Sequence, residues 1–167
     1  MKEVKLNRKI IQLITAIALI AILNFSCKEY KEKDMSENTS KIFTKGELVP
    51  SEFFTGNAWN KRLVPDDSIF TTTVGNVVFE AGARSNWHSH PGGQILLVTD
   101  GVGYHQIKGE PIQIIKRGDV VKCPPNVIHW HGASRVSGMT HIYIVPNTEN
   151  GIVNWMEAVT DEEYRRL

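Results

Sequence analysis

Cysteine is scarce. There are two in 167 residues, so no disulfide framework holds this chain together. Charge of either sign is also unremarkable in amount: 19 lysines and arginines face 18 aspartates and glutamates. A chain so balanced lacks the field that draws nucleic acid to a protein. No glycine-rich phosphate loop occurs, and no Ser-His-Asp order marks an acyl-transfer triad. There is no internal repeat. Beyond residue 23 no long apolar run appears, and no helical apolar period until residue 160, which argues against a helix bundle.

What is present begins with a separate N-terminal signal. Lys2, Lys5, Arg8 and Lys9 precede an apolar run, Ile10 to Leu23, broken only by Gln12 and Thr15. The run is short for a membrane span and suits the core of a signal peptide. Asn24-Phe25-Ser26-Cys27 then resembles a bacterial lipoprotein processing site, although Asn24 and Phe25 depart from its strictest form. That resemblance implies a signal peptide over residues 1–26, a lipidated Cys27 that holds the chain on a membrane, and an extracytoplasmic place in the periplasm or on the cell surface. Residues 27–46 are polar with almost nothing to bury, and read as a flexible tether. Residues 47–167 are the folded domain. With Cys27 committed to lipid, Cys123 has no disulfide partner and reads as a small buried apolar residue.

The domain is a series of short β-branched and aromatic runs. They include Ile69–Val74, Val77–Phe79, Gln94–Val98, Val102–Ile107, Ile112–Ile115, Val120–Cys123, Ile128–His131 and Thr140–Val145. Turn signals fall between them at Gly75-Asn76, Gly82, Asp100-Gly101, Gly109, Gly118, Pro124-Pro125-Asn126 and Gly138. Short strands with regular turns predict an all-β sandwich or barrel. Near the end, Thr160 and Glu163 fit a capping box opening one short helix.

The histidines carry the chemistry. His88 and His90 are two residues apart, as are His129 and His131, and alternate residues of a strand share a face. Gln94 follows His90 by four residues. Imidazoles gathered inside an apolar barrel are costly unless something satisfies them, and a divalent metal does so. The donors are nitrogen and oxygen rather than thiolate, unlike a closed structural zinc site. His141 shares a strand face with Met139, Tyr143 and Val145 and is the candidate proton carrier. His131 is a second candidate, as an orienting or relay group, and Ser85 could hydrogen-bond a substrate. His105 follows a hairpin signal and is expected at a solvated edge. Trp59, Trp87, Trp130 and Trp155 are expected in core or interface, and Arg84 and Asp119 in structural pairs.

The stretch Gly82, His88, His90, Gln94, Gly101 resembles the first cupin motif, Gly-x5-His-x-His-x3-Glu-x6-Gly, with Gln94 in place of its glutamate. Gly118, Pro124 and His129 resemble the second, with Asn126 and Ala133 replacing its later glycine and asparagine. Trp87-His-x-His90-Pro-x-Gly-Gln94, His129-Trp-His-Gly-Ala133, Met139-Thr-His141 and Asn154-Trp-Met-Glu157 are further similar to small bacterial cupins with hydroxynitrile lyase activity. The resemblance spans about residues 50–167. It implies a double-stranded β-helix, or jelly-roll barrel, assembled as a homodimer or homotetramer. It implies manganese held by His88, His90, Gln94 and His129, with iron, zinc, nickel and cobalt as alternatives. The implied activity is cleavage of a cyanohydrin to a carbonyl compound and cyanide. One departure stands at Val145, where such lyases can carry glutamine.

The fold leaves two other functions open, since cupins host many chemistries. Three histidines and a weak ligand also suit an iron-dependent dioxygenase. A surface module that binds a sugar acid through its metal without turnover is the non-catalytic reading.

Overall fold

The computed structural model describes residues 42–166. The basic start, the apolar run, Cys27 and most of the expected tether lie outside the described residues. Twelve strands follow in order. β1 is Glu47–Leu48, β2 Phe54–Thr55, β3 Ala58–Val64, β4 Thr72–Phe79, β5 Arg84–Ser85 and β6 His88–Ser89. β7 is Gln94–Ile107, β8 Gln113–Lys116, β9 Val120–Cys123, β10 His129–Ala133, β11 Met139–Pro146 and β12 Asn154–Trp155. Among the described residues one α-helix, α1, covers Asp161–Tyr164.

All the pairings are antiparallel, and β7 joins two curled sheets. Its first half pairs with β11 and β9, and its second half with β10 and β8. β1, β3 and β4 extend the first sheet beyond β11, while β5, β6, β2 and β12 extend the second beyond β10. The result is the expected all-β double-stranded β-helix with a short C-terminal helix.

Two turn signals in the sequence are not turns. Asp100-Gly101 lies inside the continuous strand β7. Gly101 has φ +74, a conformation glycine adopts freely, and the β7–β11 register shifts beside it. The strand bends there and passes from one sheet to the other. Gly75-Asn76 lies inside β4, which fuses two of the expected runs. Gly75 is required for space: a Cβ there would come within 2.4 Å of the Tyr143 ring and hydroxyl.

The core has two parts. Inside the barrel pack Ala58, Val77, Phe79, Leu96, Val98, Val121, Cys123 and Met139. Cys123 is thus buried, as its sequence context predicts. On the outer face of the second sheet Trp87, Tyr104, Trp130, Val159 and Tyr164 form a second cluster. Burying each large side chain contributes about 1.5–3 kcal/mol, so the C-terminal segment is a structural layer. Arg84 fixes it, its guanidinium donating to the Val159 carbonyl at 2.9 and 3.1 Å and pairing with Asp161 at 2.8 Å. α1 opens with the expected capping box between Thr160 and Glu163. Asp119 stays local, accepting from the Lys116 backbone N–H.

Candidate metal centre

β6 and β10 run antiparallel with His88 directly opposite His129. The two-residue period then sets both histidine pairs on the inner face. Trp87 and Trp130 face outward and meet edge to face at 6.4 Å. All six histidines of the chain are buried.

Three of them are oriented in one way. Nδ1 of His88 donates to the Asn86 carbonyl at 2.9 Å, Nδ1 of His90 to the Ile152 carbonyl at 2.6 Å, and Nδ1 of His129 to the Val127 carbonyl at 2.9 Å. A carbonyl only accepts, so each ring carries its proton on Nδ1 and keeps a lone pair on Nε2. Nε2 of His90 is buried with no hydrogen-bond partner. Nε2 of His129 faces Oε1 of Gln94 at 3.1 Å, acceptor to acceptor. Turning the Gln94 amide over would satisfy that pair and still leave His90 orphaned, whereas one cation satisfies every lone pair. The donor set therefore fits a divalent metal.

The nitrogens of His88, His129 and His131 lie within 4.8 Å of one another. His90 stands beside them, its ring 5.1 Å from that of His88 and 5.7 Å from that of His129. Burial holds every one of these imidazoles neutral, the coordinating form. Desolvation places His88 and His131 well below the usual histidine value, lowers His90, and brings His129 to about 3.

The expected proton carriers converge on the same place. His141 is fully buried, and apart from the Ile142 backbone neither ring nitrogen has a partner among the described residues. Its ring meets that of His131 edge-on at 4.8 Å, and desolvation lowers it to about 4. Ser85 Oγ accepts from the His131 backbone N–H at 3.2 Å and lies 3.5 Å from His88 Nδ1. A cavity of about 260 Å³ opens onto Ser85, His88, His90, Gln94, His131 and His141.

His105 is not at a solvated edge. It is buried opposite His131 in the β7–β10 pairing, with Nε2 3.3 Å from Cys123 Sγ. Its strand does not end at the hairpin signal, so the two-residue period carries it inward. Trp155 is not merely core. It lines the cavity, 5.0 Å from the His88 ring and stacked on Phe53 at 4.9 Å. Asn60, Arg62 and Thr73 line the cavity too. They carry no sequence signal of their own, because only the pairing of β3 and β4 with β11 brings them there.

Comparison with known proteins agrees with this fold. Residues 75–146 match the cupin domain family. A protein of Granulicella tundricola called (R)-mandelonitrile lyase is 44% identical over 119 residues, covering 70% of this chain and 89% of that protein. A cupin-like protein of Thermotoga maritima, solved by crystallography, is 53% identical with a TM-score of 0.74, covering 75% of this chain and 95% of that one. A double-stranded β-helix protein of Klebsiella pneumoniae shares the fold at 17% identity and a TM-score of 0.53, covering 69% of this chain and 89% of that one.

Proposed function

The chain belongs to the cupin family, and we propose that it is a metal-dependent lyase that cleaves a cyanohydrin to a carbonyl compound and cyanide. The observation that carries this reading is His141, a neutral, fully buried imidazole with no side-chain partner, lining the cavity that also exposes His88, His90 and Gln94. The name of the 44% identical relative supports the reaction type. His88, His90, Gln94 and His129 would hold the cation, manganese in the first instance. Bound there, it supplies Lewis-acid stabilisation of the alkoxide that develops on the substrate hydroxyl.

The chain's own residues move the proton. His141 accepts it from the cyanohydrin hydroxyl. The electron pair of that O–H bond becomes the second bond of the new carbonyl. The carbon–carbon bond to the nitrile breaks, and its pair leaves as cyanide. Imidazolium at His141 then returns the proton, releasing hydrogen cyanide. His131, edge-on to His141, orients that ring, and Ser85 offers a hydroxyl to the departing group. Trp155, Phe53 and Phe54 give the cavity an apolar wall for the carbonyl substituent. Val145 lines the cavity without adding a polar contact.

The test is mandelonitrile with the manganese-loaded protein, reading benzaldehyde and free cyanide together, with an oxygen electrode in the same cell. Equal release of the two products without oxygen uptake is expected. Oxygen uptake with no cyanide would replace the lyase by a dioxygenase.

A further inference from the structure

On the sheet that carries His141, three strands present one row of side chains. Arg62 on β3 pairs with Gly75 on β4, and Gly75 with Tyr143 on β11. One level deeper, Asn60 pairs with Val77, and Val77 with His141. Because Gly75 has no side chain, the Tyr143 ring lies across it with its hydroxyl directed over β4. Arg62 and Tyr143 both line the cavity, Arg62 as an exposed residue at its mouth.

The charges around this space have one sign. No aspartate or glutamate lines the cavity. Arg62 is the one arginine or lysine that does, and it makes no ion pair with any described residue. The deeper end is built for a cation, and Gln94, which stands where the first cupin motif has a glutamate, is neutral. A cavity with one unpaired cation at its mouth, an apolar wall and a deep end that would be positive with a metal bound selects a particular ligand.

We infer that the natural substrate is a small hydroxy or carbonyl compound that also bears a carboxylate, bound at the mouth by Arg62 and the Tyr143 hydroxyl while its reacting oxygen lies at the histidines. The inference rests on the proposed reaction for what happens at that oxygen. The carboxylate site itself does not depend on it. A guanidinium suits a carboxylate through paired N–H donors, and a phenol adds a third. The span is defined by the sheet. Strand spacing of about 4.8 Å and a rise of about 3.3 Å per residue put the Arg62 and His141 Cα atoms about 12 Å apart. With a hydrogen bond at each end, that span is about the length of a benzene ring carrying two substituents. Apolar contact in the middle comes from Phe54 and Trp155.

Calorimetry with the manganese-loaded full chain tests this, with 4-formylbenzoate and benzaldehyde as probes. The charged probe should bind about tenfold tighter, the return of one partly exposed charge-assisted contact. Arg62→Gln should erase that preference, Arg62→Lys should keep part of it, and Tyr143→Phe should reduce it. Equal binding of the two probes by the unaltered protein overturns the inference, as does a preference that survives Arg62→Gln. If the preference follows Arg62 while mandelonitrile is not cleaved, the carboxylate site stands and the lyase reading falls.

Discussion

His129 Nε2 and Gln94 Oε1 stand 3.1 Å apart with lone pairs facing. Two acceptors so close need a positive group to satisfy them, and a divalent cation held by both would supply it. Gln94→Glu would place a negative charge beside it. The metal should bind more tightly, and turnover should fall because the added negative charge weakens polarisation of the substrate. Metal affinity and kcat, measured together on this variant, should move in opposite directions.

His90 and His131 separate two ligand sets. His90 has its Nδ1 pinned and its Nε2 orphaned, whereas His131 lies between the cluster and His141. His90→Ala should lose metal on dialysis, and His131→Ala should retain it. Elemental analysis of the two variants checks this, and retention by His90→Ala would move the site to His88, His129 and His131.

His141 should be needed for turnover and not for metal. His141→Ala should retain one cation while kcat falls by about 10²–10⁴, the usual loss of a positioned acid–base group. Metal content and steady-state kinetics on one preparation suffice.

The buried histidines set the acid limit of the metal-free protein. Their pKa values are lowered in the fold: His129 to about 3, His105 and His141 to about 4, and His88, His90 and His131 also downward. The unfolded chain therefore binds more protons than the folded one below about pH 6.5. Stability should be fully present above that pH and fall as pH drops toward 4. Urea unfolding of stripped protein at pH 5 should show uptake of more than one proton per molecule. Bound metal should flatten this dependence, because a coordinated imidazole cannot protonate.

Arg84 should hold the C-terminal layer. Arg84→Ala leaves the Val159 carbonyl without its buried donors and Asp161 with Arg165 as its remaining ion pair. The loss should be about 2–4 kcal/mol by chemical denaturation, with earlier proteolysis after residue 157.

Much of this is legible in the sequence. The paired histidines and the turn glycines are local in sequence, so the two-residue period and the strand count reveal the barrel and the inner face. Gly75 and Gly101 lie inside strands for a shared reason. Glycine marks a turn by its backbone freedom, yet at Gly75 its use is to make room for Tyr143, a residue 68 positions away. At Gly101 it bends a strand without ending it. His105 was misplaced with it, since its burial depends on β7 running on. Asn60, Arg62 and Trp155 reach the cavity through long-range pairing, which no local pattern encodes.

The most direct test strips the protein of metal and adds manganese back in measured steps, following benzaldehyde release from mandelonitrile. Activity should be near zero at the start, rise in proportion and level off at one equivalent, and His88→Ala should stay inactive throughout. Full activity in the stripped protein, or none at any loading, would contradict a metal-dependent lyase.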